Sequence, residues 1–190
     1  MIPFSLNNAD QIGEDIYVYK NFLSNQELLT INNEIDLKGD SVWIHTKKSE
    51  DLESLNIIVN KIKQIINPPY EITNHLSLNR LKIGDTWGWH ADNGGFLEIR
   101  KQSLLLKEGE EFILKNNNIF GTVTYINDFG GGALRYPNQL ITYKPNAGDL
   151  VIHSAEEHAS HEVLEVTSGV RYSYSNGIYE KIKVPKYLAI

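Results

Sequence analysis

A histidine and an aspartate stand two residues apart in the stretch 87–92, which reads WGWHAD. If this stretch is an extended strand, His90 and Asp92 point to the same side and can reach one point in space. One imidazole and one carboxylate are two thirds of the 2-His-1-carboxylate facial triad, which binds non-haem Fe(II) and leaves coordination positions open. His-x-Asp also arises often by chance, and the alternative is a surface turn with an ordinary histidine. A third ligand downstream decides between the two interpretations.

Three histidines further along the chain compete for the role of third ligand: His153, His158 and His161. Residues 149–153 are typical of a buried strand that ends in His153, and His161 begins the next strand, 161–164. The chain has no cysteine, so a metal ion can be held only by His, Asp or Glu. The spacing of the residues alone leaves the three histidines as open alternatives.

A cation and a hydroxyl are expected on one face of the strand near 170–179. Arg171 and Ser173 share that face by alternation, whereas Val170, Tyr172 and Tyr174 share the other. Burying a guanidinium without a partner is expensive. A carboxylate held bidentately by the arginine, with the serine hydroxyl alongside, would supply that partner. The alternative is an ordinary ion pair between Arg171 and a carboxylate of the chain, such as Asp149 or Glu165.

The bulk composition excludes several classes of protein. The 190 residues suit one domain with a sizeable core. A formal net charge of -6 argues against binding to nucleic acid or to an anionic membrane. The sequence shows no apolar run long enough for a membrane span and no signal peptide at its start. We therefore expect a cytoplasmic protein without membrane or nucleic-acid partners.

The chain changes character near residue 70. Before it, Ser24 and Glu27 form a capping box for a helix with Leu28, Leu29, Ile31, Ile35 and Leu37 on its apolar side. A second helix is predicted over 50–66, where Pro68 and Pro69 follow. Short strands are predicted at 16–19, 71–83, 87–92, 120–127, 133–136, 140–144, 149–153, 161–166 and 170–179.

This order of elements predicts an α+β fold in a single domain over 1–190. Residues 15–69 would be mainly helical support, packed on the outside of a jelly-roll core over 70–180. Two apolar runs around a glycine turn interrupt the regular strand spacing at 95–118. We interpret this segment as a candidate lid, with a packed surface insertion or a dimer contact as the alternative.

Taken together, several motifs resemble the Fe(II)/2-oxoglutarate-dependent dioxygenases, and in particular their prolyl 4-hydroxylase-like branch. The motifs are 90–92 (HAD), 131–134 (GGAL), 145–149 (PNAGD), 161–163 (HEV) and 169–173 (GVRYS). The segment 21–24 (NFLS) and the helix after it also resemble this branch, so the likeness covers most of residues 15–180.

The resemblance implies a double-stranded β-helix (cupin-like) core and iron held by His90, Asp92 and His161. The family carries a Lys or Arg about ten residues after its distal histidine, and Arg171 stands at that distance from His161. Arg171 and Ser173 would then bind 2-oxoglutarate, joined by Tyr125, which matches a co-substrate contact of some relatives. The implied cofactors are Fe(II), 2-oxoglutarate and O2, with ascorbate as a candidate reductant.

The implied reaction is hydroxylation of an unactivated C–H bond, with release of succinate and CO2. Its substrate would be a prolyl residue of a peptide or protein, or a proline-like or other small molecule. The chain departs from the family where many relatives have a tyrosine nine or ten residues before the metal histidine. Arg80 and Leu81 stand there instead, and the insertion after Asp92 is a second departure.

Three other classes of protein fit some of these residues. A cupin-like protein could bind metal or another ligand at the same residues without oxidation, but it has no need of a buried carboxylate clamp. A zinc hydrolase fits the ligand types, yet no general base stands out. Nucleic-acid demethylases of the same superfamily normally carry a second arginine shortly after the first, and none follows Arg171 closely.

Overall fold

The computed structural model of the protein describes residues 2–37, 47–48, 53–72, 75–92, 111–113 and 119–183. Most of the candidate lid at 95–118 lies outside the described residues. The part that is described, Glu111–Ile113, is a short strand paired with Lys181–Lys183. Neither helix in the described part of the chain is long and apolar enough to cross a membrane.

The first helix, α1 (Asn25–Leu37), begins as the capping box predicts. The backbone N–H of Ser24 donates to the Glu27 carboxylate at 2.7 Å, and the N–H of Glu27 donates to Ser24 Oγ at 3.3 Å. These bonds satisfy two donors that a helix start leaves unpaired. Ile31 and Ile35 are buried, as expected, but Leu29 is 54% exposed, so its assignment to the apolar side was wrong.

The second helix, α2 (Glu53–Ile65), confirms the helix predicted over 50–66 within the described residues. Its buried apolar residues recur at spacings of three and four: Leu55, Ile58, Val59 and Ile62. Lys61 on α2 also contacts Glu27 on α1 at 2.7 Å, which ties the start of one helix to the other. Ile66 lies past the helix and forms an isolated β-bridge with Phe4.

The fifteen described strands form three sheets. Their bounds are β1 Asp10–Gly13, β2 Ile16–Tyr19, β3 Lys47–Lys48, β4 Tyr70–Ile72, β5 His75–Leu81, β6 Trp87–His90, β7 Glu111–Ile113, β8 Phe120–Tyr125, β9 Gly130–Gly131, β10 Leu134–Tyr136, β11 Ile141–Tyr143, β12 Leu150–Ser154, β13 His161–Val163, β14 Val166–Ser168 and β15 Arg171–Lys183.

A large sheet and a small sheet position the residues of interest. The large sheet has the order β1-β2-β12-β8-β15-β5-β3, and β4 and β7 also pair with β15. The small sheet has the order β11-β10-β13-β6, and β14 pairs with β9 separately. All of the pairings are antiparallel. The prediction of an α+β protein rich in strands is thus confirmed at this coarse level.

Both faces of the large sheet are buried, which follows from the alternation of side chains along each strand. On β12, Leu150 and Ile152 belong to one apolar cluster, which also contains the buried residues of α1 and α2. Val151, between them, belongs to a second cluster with Leu134 and Val163 of the small sheet. The large sheet therefore contacts the helices with one face and the small sheet with the other.

The observed strands differ from the predicted ones mainly at breaks in pairing. The strand predicted at 71–83 is two strands, β4 and β5, and the one predicted at 161–166 is also two, β13 and β14. The other predicted strands agree with β2, β6, β8, β10, β11, β12 and β15 to within a few residues. The two-residue strands β3 and β9 were not predicted, and neither were β1 and β7.

Candidate metal centre

His90, Asp92 and His161 come together between β6 and β13. One possible ligand atom from each residue lies within 4.8 Å of those from the other two. His90 and His161 are direct partners in the antiparallel pair β6–β13, and their ring centroids are 4.5 Å apart. Of the three histidines that competed for the third position, His161 is the one in this cluster.

A β-bulge sets the direction of His90. Between the pairs His161↔His90 and Val163↔Trp87, β6 has one residue more than β13. The extra residue brings Trp87 and His90 to the same side, where both line one cavity and their rings lie 6.4 Å apart. Strand β6 ends at His90, so Asp92 reaches the cluster from the chain beyond it and not, as expected, by strand alternation.

Both histidines of the cluster turn the same ring nitrogen to the backbone. His90 Nδ1 lies 2.7 Å from the carbonyl oxygen of Gly88, and His161 Nδ1 lies 3.3 Å from that of Ala159. A carbonyl oxygen only accepts, so each Nδ1 carries the proton and donates it. In the neutral form of each ring, Nε2 is then the unprotonated nitrogen, which can bind a cation. The hydrogen bond with Asp92 raises the pKa of His90.

The charges of the cluster also suit a cation. Burial raises the pKa of Asp92, but hydrogen bonds from His153 and His90 outweigh it and hold that pKa well below the ordinary value. Burial, together with the nearby His153, lowers the pKa of His161 to about 3. Asp92 is therefore a carboxylate and His161 a neutral imidazole near neutral pH, which are the forms that bind metal ions.

The other two candidate histidines have different surroundings. His158 lies with its Nε2 3.2 Å from the Asp15 carboxylate, away from the cluster. His153 is fully buried on β12, and its Nε2 lies 3.0 Å from Asp92 Oδ2. His153 thus contacts one proposed ligand without being a member of the three-residue cluster.

Gly121 on β8 leaves room for the aspartate. A Cβ atom built at this position would overlap Asp92 Oδ2 and would lie 2.7 Å from His153 Nε2. Gly121 pairs with His153 of β12 on one side and with Gly177 of β15 on the other. Only a residue without a side chain fits between the centre of the large sheet and this carboxylate.

Arg171 is a buried cation at the start of β15, with 3% of its surface exposed. Its guanidinium donates to Ser173 Oγ at 3.1 Å and to the Tyr125 hydroxyl at 3.2 Å. Its Nε has no hydrogen-bond partner, and the described residues include no carboxylate in an ion pair with it. The three residues predicted to bind a carboxylate are therefore adjacent, and the guanidinium keeps a free donor.

Asp149 does not neutralise Arg171. Its carboxylate accepts from the Tyr143 hydroxyl at 2.7 Å and from the backbone N–H groups of Asn146 and Asn21 at 2.9 and 3.2 Å. Glu165 is exposed at the surface. Neither of the two carboxylates considered from the sequence thus compensates the buried charge of Arg171.

One cavity of about 130 Å³ connects the two groups of residues. His90, Asp92 and His161 line it, and so do Arg171 and Ser173. On β8, Gly121 beside Asp92 and Tyr125 beside Arg171 are four residues apart, which is about 13 Å along a strand. The cation-binding cluster and the guanidinium therefore lie at two levels of the same cavity.

The wall of the cavity differs from the sequence expectation at β5. Leu81 and Asn79 line the cavity, whereas Arg80 alternates to the other face of the strand. Where many members of the resembling family have a tyrosine, this chain thus presents the apolar Leu81 to the cavity. Asn79 was not predicted, and its Nδ2 donates to Ser175 Oγ at 3.0 Å in the same wall.

Comparison with known proteins finds a match only at the level of structure. No protein-family model matches the chain, and no curated protein matches it. It is similar to the viral collagen prolyl hydroxylase of Paramecium bursaria Chlorella virus-1 in complex with 2OG, with 16% identity and a TM-score of 0.58 over 88% of this chain and 97% of that chain. A truncated form of that enzyme gives 18% identity and a TM-score of 0.66 over 90% and 95%.

A third similar structure is a prolyl hydroxylase from Trichoplax adhaerens in complex with a hypoxia inducible factor oxygen degradation domain peptide. It shows 14% identity and a TM-score of 0.59 over 92% of this chain and 84% of that chain. At such low identity these matches concern the fold. The resemblance to prolyl hydroxylases that the sequence motifs indicated is confirmed at that level.

Proposed function

We propose that this chain is an Fe(II)- and 2-oxoglutarate-dependent dioxygenase that hydroxylates an unactivated C–H bond. The observation that carries the proposal is the buried Arg171 guanidinium. It lies in the wall of the cavity that His90, Asp92 and His161 also line, without a carboxylate partner among the described residues. A buried cation is stable only when an anion or several acceptors compensate its charge. The distal carboxylate of 2-oxoglutarate is an anion of the right kind.

His90, Asp92 and His161 would hold the iron. Two unprotonated imidazole nitrogens and one carboxylate oxygen form the donor set of the facial triad. The backbone carbonyl groups of Gly88 and Ala159 support this role, because they occupy Nδ1 of each ring and leave Nε2 as the nitrogen that can bind iron. When bound, iron with 2-oxoglutarate and O2 supplies the oxidising power for hydroxylation, with succinate and CO2 as co-products and ascorbate as a candidate reductant.

Arg171, Ser173 and Tyr125 would bind and orient the co-substrate. The guanidinium has donors for a carboxylate, and the two hydroxyl groups that it contacts can turn toward the same anion. Burial raises the pKa of Tyr125, so its hydroxyl keeps its proton and can donate. Apolar residues of the cavity, such as Leu81, Val123 and Leu134, would keep water from the reacting atoms.

The finer features of the fold belong to the same proposal. We propose that the facing large and small sheets are the double-stranded β-helix of the oxygenases, in one domain over 1–190 with helical support at 15–69 and the core at 70–180. The role of 95–118 as a lid and a cytoplasmic location stay predictions.

A prolyl residue or a proline-like compound is the first substrate to test. Structures similar to this chain include a viral collagen prolyl hydroxylase and a prolyl hydroxylase with a bound peptide. Asn79 and Leu81 line the cavity on β5, so its wall offers both a polar and an apolar contact to a substrate. Both prolyl peptides and free proline should therefore be included as acceptors.

Two 2-oxo acids test the proposal directly. Protein loaded with Mn(II) is titrated with 2-oxoglutarate and with 2-oxobutyrate, which lacks the distal carboxylate. Loss of one partner of a buried charge pair costs about 2–5 kcal/mol, so 2-oxoglutarate should bind at least roughly 30-fold more tightly than 2-oxobutyrate. Iron-loaded protein should also release succinate from 2-oxoglutarate in air. Equal affinity for the two acids, without succinate, would favour a cupin-like binding protein instead.

A further inference from the structure

His153 is a fully buried histidine to which the proposed function gives no task. It lies on β12 in the large sheet, between Gly121 of β8 and Ile16 of β2. A buried imidazole is retained at some cost unless both of its nitrogen atoms have partners. The partners of His153 are a tyrosine on one side and a proposed metal ligand on the other.

The two nitrogen atoms of His153 have different roles. Nδ1 lies 3.0 Å from the Tyr136 hydroxyl, and Nε2 lies 3.0 Å from Asp92 Oδ2. A carboxylate oxygen can only accept, so Nε2 carries a proton and donates it to Asp92. Nδ1 contacts the Tyr136 hydroxyl on the other side, so the hydrogen bonds form a continuous chain Tyr136–His153–Asp92.

The same contact distinguishes the two oxygens of Asp92. Oδ2 accepts from His153, whereas Oδ1 lies 3.5 Å from His90 Nε2, on the side of the cluster. A carboxylate with both oxygens available can bind a cation with either one or both. The bond from His153 occupies one of them and turns the other toward His90.

The ring of His153 is fixed in place. Its centroid lies 4.1 Å from that of His161 and 5.8 Å from that of Tyr136. Gly121 leaves no side chain between this ring and Asp92, and the space left by the missing Cβ is filled by the carboxylate itself. Rotation of the buried imidazole would break both hydrogen bonds, so its orientation is strongly determined.

We propose that His153 is a positioning residue of the metal centre, which holds Asp92 Oδ2 so that only Oδ1 is offered to the cation. This inference rests on the proposed metal centre at His90, Asp92 and His161. By limiting the carboxylate to one donor atom, His153 keeps a coordination position available for the 2-oxo acid. Tyr136 supports the role by giving the other nitrogen of His153 a hydrogen-bond partner.

Three variants separate positioning from simple packing. His153→Leu removes both hydrogen bonds, His153→Gln keeps an amide N–H that can reach Asp92, and Tyr136→Phe removes only the hydroxyl. Val151→Ala is the matched control, since it lies on the same face of β12 and has an apolar environment. The purified protein is titrated with Co(II), whose visible absorption reports coordination number and ligand set, and then with 2-oxoglutarate.

We expect His153→Leu to change the Co(II) spectrum and to weaken Co(II) binding by about 10–100-fold, the usual effect of losing a partner of a metal ligand. Binding of 2-oxoglutarate should weaken as well. His153→Gln should restore much of the wild-type spectrum. The spectrum of Tyr136→Phe should be intermediate between those of His153→Leu and wild type, and Val151→Ala should have the wild-type spectrum. Melting temperatures show whether each variant is folded. If His153→Leu does not fold, the Co(II) spectrum and the 2-oxoglutarate affinity of Tyr136→Phe are compared with those of wild type to test the proposal.

Two outcomes would overturn the proposal, and they are distinguishable. In the first outcome, wild-type protein binds Co(II), and the folded His153 and Tyr136 variants have the same Co(II) spectrum and the same affinity for 2-oxoglutarate. This result would contradict the role of His153 but not the proposed metal centre. Wild-type protein that does not bind Co(II) would remove the proposed metal centre, and the positioning role with it.

Discussion

Gly121 lies so close to Asp92 that a single methyl group at position 121 would occupy the place of the carboxylate oxygen Oδ2. The two residues belong to different parts of the chain: Gly121 lies in the large sheet, and Asp92 follows the edge strand of the small sheet. The position of the proposed ligand therefore depends on a residue that has no chemistry of its own.

Replacing Gly121 with alanine should displace Asp92. We expect Gly121→Ala to lower the affinity for Mn(II) at least 10-fold, comparable to the loss of a partner of a ligand, and to cost about 1–3 kcal/mol of unfolding free energy through overpacking. Metal titration and urea unfolding measure the two effects. Gly88→Ala is the control, because a Cβ at Gly88 meets no atom within 4 Å. Equal metal affinity in the two variants would contradict the close contact.

The three proposed ligands should be individually necessary. Alanine at His90, Asp92 or His161 removes one of three protein donors, so the affinity for Mn(II) should fall by more than the 10–100-fold that outer partners typically cost. His158→Ala should leave it unchanged, because that side chain is paired with Asp15. Calorimetric titration of the purified variants provides the measurement. Loss of binding in His158→Ala, with retention in His161→Ala, would reverse the assignment of the distal ligand.

Arg171 should control affinity for the co-substrate and not for the metal. Arg171→Ala should weaken 2-oxoglutarate binding by about 2–5 kcal/mol and remove the preference over 2-oxobutyrate. Arg171→Lys keeps the charge but not the bidentate geometry, so its affinity for 2-oxoglutarate should lie between those of wild type and Arg171→Ala. Ser173→Ala and Tyr125→Phe each lose one neutral hydroxyl, at about 0.5–1.5 kcal/mol.

The matched control for that series is Arg135→Ala, which removes an exposed arginine whose partner is Glu162. It should leave the binding of both 2-oxo acids unchanged, since surface ion pairs contribute little. An Arg171→Ala protein with lower melting temperature and unaltered 2-oxoglutarate affinity would mean that the arginine serves the fold only.

Glu27 should make stability depend on pH through the start of α1. Burial raises the pKa of Glu27, but hydrogen bonds from Lys61 and Ser24 outweigh it and place the pKa below its ordinary value of 4.5. A carboxyl group whose pKa is lower in the folded state stabilises the fold above its unfolded pKa. That contribution disappears as the pH falls through the folded pKa.

Glu27→Gln should therefore lower the free energy of unfolding near neutral pH, and the difference from wild type should shrink as the solution is acidified. Ser24→Ala removes the other half of the capping box and should cost about 1 kcal/mol. Urea unfolding across this pH range is the measurement. Glu156→Gln, at an exposed position, provides the comparison. An equal pH dependence in Glu27→Gln and wild type would show that the pKa of Glu27 does not change on folding.

Features that depend on neighbours in sequence could be predicted. The capping box of Ser24 and Glu27, the buried side of α2 and the sharing of one face by Arg171 and Ser173 all follow from local periodicity, and the structure has each of them. The local sequence did not separate the three candidate histidines. His161 was favoured only because its distance from Arg171 matches the spacing in the resembling family.

Features that depend on strand pairing could not be predicted. The contact between His153 and Asp92 joins residues 61 positions apart, and the bulge in β6 is visible only once β13 is paired with it. The sequence does not show whether Gly121 is needed because a side chain would overlap Asp92 or because it lies in an ordinary turn. Leu29 was placed on the buried side of α1 by residue type, but the helix turns it to solvent.

Strand β15 lies between β8 and β5 in the middle of the large sheet, yet it is the last described strand to leave the ribosome. All three proposed metal ligands have been synthesised before its first residue, Arg171. Until β15 inserts, the facing edges of β8 and β5 lack a partner, and such edges are open to pairing with other chains. A nascent chain stalled just before Arg171 should therefore be retained by chaperones.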